Sequence, residues 1–211
     1  MSSTRTPLSR DRILDTALAL ADEDGVEAIS MRKLADRLGF EAMSLYRHVS
    51  NKGDLIDGML DRVVAEWELE HGGAWQTQVR AIAVSVYASL RRHRWAAPLL
   101  LGASHGARPG RMAYMDALLR SLREGGFDAD TTYHAYHVLD GHIFGFTIWV
   151  IGHMDMPADP GPILERVRPL LEQFPDVKAH ADAHMTEGPH QDVSAFEFGL
   201  DLILDGLRDR E

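Results

Sequence analysis

Apolar residues recur at three- and four-residue intervals along nearly the whole chain, which is the spacing of one face of an α-helix. The clearest example lies between residues 55 and 67, where one stripe contains Leu55, Ile56, Met59, Leu60, Val63, Val64 and Trp67. No stretch alternates with period two for long enough to predict a strand. The sequence therefore predicts an all-α fold.

Capping residues divide the first third of the chain into four predicted helices. Ser9 and Ser30 are placed to cap the first two helices, and Gly25 and Gly39 are placed to end them. The other two predictions are a short helix over 41–49 and a long connecting helix over 51–70, capped by Ser50 or Asn51.

The pair Gly72-Gly73 separates this N-terminal unit from the remainder of the chain. We predict a helix-turn-helix domain over 1–53, joined through the connecting helix to a helical ligand-binding and dimerisation domain over 54–211. Six of the nine prolines lie between residues 156 and 190, which indicates short helices and loops there. Further helices are predicted over 75–94, 98–102, 108–124, 129–151, 162–174 and 192–208.

Composition excludes several classes of protein. The chain has 211 residues and no cysteine, which excludes disulfides, cysteine-ligated zinc and thiol nucleophiles. Its longest apolar stretch, over 138–152, contains Asp140 and His142 and falls short of the ~20 residues that a membrane helix needs. The first residues carry no apolar export signal. We expect a soluble, cytoplasmic protein.

Charge is distributed unevenly. The net charge is −10, and all of it lies in residues 54–211, because residues 1–53 are neutral overall. Within the neutral part, the window 30–53 holds five basic residues against two acidic ones. A small basic surface on an acidic protein favours nucleic-acid binding through that surface.

Two short helices joined by a tight turn, behind a supporting helix, form a helix-turn-helix. The second helix would enter the major groove, where Ala42 and Met43 are suited to a thymine methyl group and Arg47 to guanine or phosphate. The plainer alternative is an ordinary solvated helix face. The candidate DNA-binding residues are Ser30, Arg32, Ala42, Met43, Ser44, Tyr46, Arg47, His48 and Lys52.

Residues 9–67 resemble the DNA-binding domain of the tetracycline-repressor (TetR/AcrR) family of bacterial regulators. The resemblance rests on "SRDRILDTALALADEDGVEAISMRKLADRLGF" and on "SLYRHVSNKGDLIDGML", especially the run 45–49 followed by Asn51-Lys52. It implies base contacts from Arg32, residues 42–44 and Arg47. It also implies phosphate contacts from Tyr46, His48 and Lys52.

The sequence departs from the tetracycline repressors themselves at one position. In those proteins, a histidine close before a glycine in the sixth helix helps to ligate drug-bound magnesium. The corresponding stretch here is Pro98-Leu99-Leu100-Leu101-Gly102, which has no ligand side chain. This difference argues against tetracycline–magnesium sensing.

Two helices carry glycines at helical spacing, which allows backbones to approach closely. The resemblance favours a homodimer, because family members usually pair two helices of each subunit into a four-helix bundle. The alternative is packing within a single chain. The candidate dimer residues are Gly141, Gly145 and Ile148 on one helix, and Phe196, Gly199, Leu202, Ile203 and Gly206 on the other.

A ligand cavity is predicted between the helices over 75–94, 108–124 and 129–151. Aromatic and methionine side chains adapt to irregular apolar ligands. The alternative is that these residues are ordinary core. The candidate lining residues are Trp67, Tyr87, Met112, Met115, Tyr136, His137, Phe144 and Trp149.

Eleven histidines raise a metal-binding alternative. His134, His137 and Asp140 are spaced to share a helix face, and His180 and His184 stand four apart, but neither set matches HExxH. No nucleophile elbow or phosphate-binding glycine loop occurs, so we assign no catalytic residue, metal or cofactor.

Three hypotheses follow. The leading one is a homodimeric, ligand-responsive transcriptional regulator. It would act as a repressor on a palindromic operator, and a small, largely apolar or aromatic ligand would release it. The others are a histidine-dependent metal-binding protein or metalloenzyme on a helical scaffold, and a constitutive DNA-binding protein.

Overall fold

The computed structural model describes residues 7–102, 108–154, 161–184 and 193–210. These residues form eleven α-helices and no β-strand, which confirms the all-α prediction. The helices are α1 Arg10–Asp24, α2 Met31–Leu38, α3 Ala42–Leu45, α4 Lys52–Ala65, α5 Trp75–Arg92, α6 Ala96–Leu101, α7 Pro109–Glu124, α8 Ala129–Met154, α9 Gly161–Leu171, α10 Pro175–His184 and α11 Val193–Arg208. A short 3-10 turn, Val26–Ala28, lies between α1 and α2.

The predicted caps are confirmed. The side chains of Ser9, Ser30 and Asn51 each accept a hydrogen bond from the backbone N–H three residues further on. Each bond satisfies one of the N–H groups that the first turn of a helix leaves open. Gly25 and Gly39 end α1 and α2 with positive φ angles of 84° and 75°, a conformation that favours glycine.

Several helix boundaries differ from the predictions. The predicted helix over 41–49 is a single turn, Ala42–Leu45, and α4 ends at Ala65 instead of residue 70. The end of α4 tightens because Glu66 and Trp67 donate to carbonyls three residues back. Prolines had indicated loops after residue 156, yet Pro175 starts the unpredicted helix α10, since proline suits the first helical position.

Helix α4 connects two bundles that share one continuous core. The N-terminal bundle, α1–α4, packs α1 against α2 and α4, and α4 also contacts α5, α6 and α7 of the C-terminal bundle, α5–α11. Leu55, Met59 and Val63 on α4 are completely buried. The boundary predicted at residue 53 therefore falls at the start of a helix that packs into both bundles.

An ion pair fastens α1 to the start of α4. Arg10 donates two hydrogen bonds to the Asp54 carboxylate, at 2.7 and 3.2 Å, and a third to the carbonyl of His48. The Arg10 guanidinium and the backbone N–H of Ser50 lower the pKa of Asp54 from 3.8 to about 2. Because folding favours the ionised form of Asp54, this carboxylate stabilises the folded state above pH 3.8.

We expect Asp54→Asn to lower the free energy of unfolding at neutral pH and to flatten its acid dependence. The contribution of Asp54 is fully present above pH 3.8 and is lost as the pH falls towards about 2. The difference between wild type and variant should therefore shrink over that window, as measured by urea unfolding at several pH values. Asp36→Asn, which removes the same charge from α2, is the control. A difference for Asp54→Asn that does not change with pH would contradict the assignment.

Candidate nucleic-acid interface and ligand site

The second helix of the helix-turn-helix, α3, is held by its apolar side and exposes the other. Leu45 and Val49 are buried, at 0% and 1% exposure, and fix α3 and the turn after it against the bundle. Met43 is 73% exposed and Tyr46 is 45% exposed, although both are large and apolar in character. Side chains of this kind in water indicate a surface that meets a partner.

The basic residues of the N-terminal bundle fall into two groups. Lys33 pairs with Asp24 at 2.8 Å, and Arg37 pairs with Glu23 at 2.6 Å, so both charges are neutralised within the chain. Arg32, Arg47 and Lys52 are exposed, and among the described residues no carboxylate pairs with them. The uncompensated cations are therefore those that sequence analysis assigned to DNA.

The other predicted DNA-binding residues occupy the same three segments. Ser30 is exposed at the start of α2, Ala42 and Ser44 are half-buried on α3, and His48 is half-buried in the turn. The Ser30 hydroxyl already accepts a hydrogen bond from the N–H of Lys33, so its oxygen acts as a helix cap. Nothing in the structure removes any of these residues from the candidate surface.

A buried histidine connects the two bundles, and sequence analysis missed it. His93, 5% exposed at the end of α5, places Nδ1 2.9 Å from Asp22 on α1 and Nε2 3.0 Å from Glu66 just after α4. The indole N–H of Trp95 also donates to Asp22, at 2.8 Å. We call His93, Asp22, Glu66 and Trp95 the junction. It joins residues that are 71 and 27 positions apart in sequence, so no local pattern could have indicated it.

The carboxylate of Glu66 is held in its ionised form. Burial opposes its ionisation, but hydrogen bonds from Arg92 and His93 outweigh that effect and lower the pKa of Glu66 below its usual value. Arg92 donates to Glu66 at 2.7 Å, and the hydroxyl of Ser89 donates at 3.0 Å. The end of α4 is thereby fixed to α5 by three side chains.

The eight predicted ligand residues do not line one cavity, so that prediction needs correction. Trp67, Tyr87, Tyr136 and Phe144 are buried core residues, whereas Met112 and Trp149 are about half exposed and His137 is exposed. The reason is helical geometry, since positions 144 and 149 lie about 140° apart around the axis of α8. Met115 is half-buried.

Three of the predicted residues instead meet at a groove between α7 and α8. The groove has a volume of about 540 Å³ and is mainly apolar. Met115, Tyr136 and His137 were predicted to bind a ligand, whereas six of its residues were not singled out. The complete lining is Met115, Leu119, Arg123, Phe127, Ala129, Thr132, Tyr133, Tyr136 and His137.

The predicted dimer residues divide between an open surface and the core. Gly141, Gly145 and Gly206 face open space, because a Cβ built on any of them meets no atom within 4 Å. Ile148 and Leu202 are exposed and Ile203 is half-buried.

Phe196 and Gly199 face inward, so they are corrected to intrachain residues. Phe196 is fully buried and stacks on Tyr87 at 4.0 Å, and a Cβ on Gly199 would lie 2.5 Å from the His142 ring. Both belong to the face of α11 that packs against α5 and α8.

The histidines of the metal-binding alternative do not converge. Within the described residues, no group of three His, Cys, Asp or Glu side chains is arranged to hold a metal ion. His137 lies edge-on against Tyr133, and His142 bonds through Nε2 to the carbonyl of Phe196. The side chain of His184 lies outside the described residues. No helix in the described ranges has the length and hydropathy to cross a membrane.

Comparison with known proteins identifies the family. The family model for bacterial regulatory proteins of the tetR family matches residues 13–59, and the tetracyclin repressor-like C-terminal domain matches residues 69–210. The chain belongs to the TetR family. It is therefore a transcriptional repressor with a helix-turn-helix DNA-binding domain and a C-terminal ligand-binding domain, and it is not an enzyme.

Relatives cover nearly the whole chain. The HTH-type transcriptional repressor DrrR1 of Streptomyces coeruleorubidus is 33% identical over 95% of this chain and 77% of its own length. The class D tetracycline repressor protein of Escherichia coli is 30% identical over 95% of this chain and 89% of its own length. The Streptomyces coelicolor protein ActR, solved in complex with actinorhodin, aligns with a TM-score of 0.73 and 27% identity, covering 97% of this chain and 98% of its own.

We expect His93→Ala to destabilise this TetR-family protein by about 1–3 kcal/mol, because it leaves two partly buried carboxylates without their shared partner. Thermal unfolding measures the loss. His134→Ala, which removes an exposed histidine from α8, is the matched control. Equal unfolding temperatures for the two variants would show that the junction does not hold the bundles together.

Proposed function

We propose that the chain is a homodimeric, ligand-responsive repressor that acts in the cytoplasm. Two N-terminal bundles would bind the half-sites of a palindromic operator, and a small, largely apolar or aromatic ligand in the C-terminal bundle would release them. The observation that carries the DNA part is the set of uncompensated cations, Arg32, Arg47 and Lys52, on an otherwise acidic protein.

The exposed part of α3 supports major-groove binding. Met43 stands out from the helix beside the half-buried Ala42 and Ser44, so a flat base edge can approach closely. Lys52 opens α4, where the unpaired backbone N–H groups of the first turn favour a phosphate. Two such units in a symmetric dimer bind half-sites about 34 Å apart, which is one turn of DNA.

An apolar outer face on α8 and α11 supports a homodimer. Val138 and Trp149 on α8 are 53% and 52% exposed, and Phe198 and Leu202 on α11 are 66% and 60% exposed. The open glycines Gly141, Gly145 and Gly206 lie on the same two helices, so another helix can approach their backbones. A symmetric four-helix interface would cover these side chains.

The ligand part rests on the C-terminal bundle and on its relatives. Solved structures of the similar protein ActR contain actinorhodin in one case and (S)-DNPA in another. In this chain, the aromatic residues around Trp67 and the groove between α7 and α8 offer apolar surface to a ligand. A ligand releases DNA only through its differential affinity, and moving the equilibrium from 1:99 to 99:1 needs about 5.5 kcal/mol.

Footprinting on the DNA upstream of the protein's own gene tests the proposal. We expect protection of a palindrome, with two protected half-sites about one helical turn apart. Absence of a footprint on any DNA would refute the operator proposal. Operator binding that persists with every tested ligand would instead support the constitutive alternative.

We expect Arg47→Ala to weaken specific operator binding by about 1–3 kcal/mol if Arg47 contacts guanine, and to relax base preference at one position. Lys52→Ala should weaken all sequences alike and lower the salt slope by about one per contact. Lys33→Ala is the matched control, because Lys33 is neutralised by Asp24. Fluorescence anisotropy at several salt concentrations measures all three. An equal effect of Lys33→Ala would show that general charge, and not this surface, drives binding.

We expect Leu202→Glu to convert a dimer into a monomer, because a charge would enter the apolar interface. Leu170→Glu on α9 is the control, since Leu170 is similarly exposed, at 55% against 60%. Sedimentation velocity at micromolar concentration distinguishes the two states. Wild-type protein that sediments as a monomer, or a Leu202→Glu protein that remains dimeric, would exclude this interface.

A further inference from the structure

Two buried hydrogen-bond donors in the C-terminal bundle lack an acceptor within the described residues. They are the indole Nε1 of Trp67, just after α4, and Nη1 of Arg111 on α7. The residues are 6% and 7% exposed, so water does not easily replace the missing partner. Buried donors are nearly always paired, so two exceptions in one protein need an explanation.

Both donors lie against the same two aromatic rings. The Trp67 ring is 5.4 Å from Tyr114 and 6.3 Å from Phe144, edge-on in both cases. The Arg111 guanidinium lies over these rings, at 4.6 Å from Tyr114 and 4.4 Å from Phe144. The donors therefore belong to one site, formed where the end of α4 meets α7 and α8.

The charge at this site is already balanced. Nη2 of Arg111 donates to both oxygens of Asp140, at 2.7 and 2.9 Å, and the Tyr114 hydroxyl donates to the same carboxylate at 3.1 Å. A second anion would face Asp140 in a region of low dielectric, which is unfavourable. The unpaired groups are donors only, since neither an indole N–H nor a guanidinium can accept.

We propose that Trp67 and Arg111 bind the uncharged carbonyl oxygen of a largely apolar, aromatic effector. This inference deepens the proposed function and rests on it. The site selects a ketone or quinone type of oxygen, because a hydrocarbon leaves both donors unpaired and a carboxylate confronts Asp140. Because Trp67 directly follows Glu66 of the junction, binding here also acts on the segment that positions the N-terminal bundle.

The experiment uses a matched pair of small probes, acetophenone and ethylbenzene, which differ by a carbonyl in place of a methylene. The full-length protein carries four tryptophans, so its ¹⁵N spectrum shows one indole signal for each, and Trp67→Phe assigns that of Trp67. We expect acetophenone to shift the Trp67 signal and to bind roughly tenfold tighter than ethylbenzene, the amount that one good hydrogen bond provides.

Variants locate the effect. Trp67→Phe keeps the ring and removes the donor, and Arg111→Lys keeps the charge beside Asp140 while it removes the second nitrogen. Each should abolish most of the preference for acetophenone. Trp149→Phe, at an exposed tryptophan of α8, should leave the preference unchanged. Equal affinity for the two probes, or an unchanged preference in Trp67→Phe, would overturn the proposal.

The readout separates this inference from the proposed function, because it needs no DNA. If acetophenone shifts the Trp67 signal but operator affinity does not change, the carbonyl site stands and the proposed switch fails. If an effector releases the operator while the Trp67 signal does not move, the repressor proposal stands and this inference is wrong.

Discussion

The contacts of His93 with Asp22 and Glu66 determine how the two bundles sit on each other. Asp22 belongs to α1, Glu66 follows α4, and His93 ends α5, so a single imidazole touches three elements. The apolar core alone permits sliding, because hydrophobic contact has no direction. Hydrogen bonds at 2.9 and 3.0 Å to partly buried carboxylates do not permit it, since a small displacement leaves a charged group without a partner. The orientation of the DNA-binding surface therefore depends on one short polar contact.

The junction also lies beside the candidate ligand site. Trp67 follows Glu66 in the chain, so their Cα atoms stand about 3.8 Å apart and cannot move independently. Trp67 packs on Tyr114 and Phe144, while Glu66 bonds to His93. A ligand that displaces the indole therefore pulls on the carboxylate that holds α1. From that point α4 extends as a rod of about 21 Å to Lys52, and a tilt of about 5° shifts its far end by about 2 Å.

Sequence analysis predicted most of what depends on neighbouring residues. The caps at Ser9, Ser30 and Asn51 and the apolar stripe of α4 are local patterns, and each is present in the structure. The exposure of Arg32, Arg47 and Lys52 also agrees with prediction, because charged side chains remain in water unless a partner intervenes. Which face of α11 turns inward could not be predicted, since Phe196 and Phe198 are both apolar and only packing against Tyr87 distinguishes them. The junction was not predictable, because its members are far apart in sequence.

Helix α8 serves both sides of the C-terminal bundle. Its inner face carries Asp140 and Phe144 of the carbonyl site, and its outer face carries Val138 and Trp149 of the proposed dimer interface. In a two-fold symmetric dimer, the same tilt occurs in both subunits, and the displacements of the two α3 helices add. A shift of about 2 Å at each would change their separation by up to about 4 Å, slightly more than the spacing of one base pair. Since both half-sites must be engaged together for tight binding, a change of one base pair in spacing is enough to release the operator.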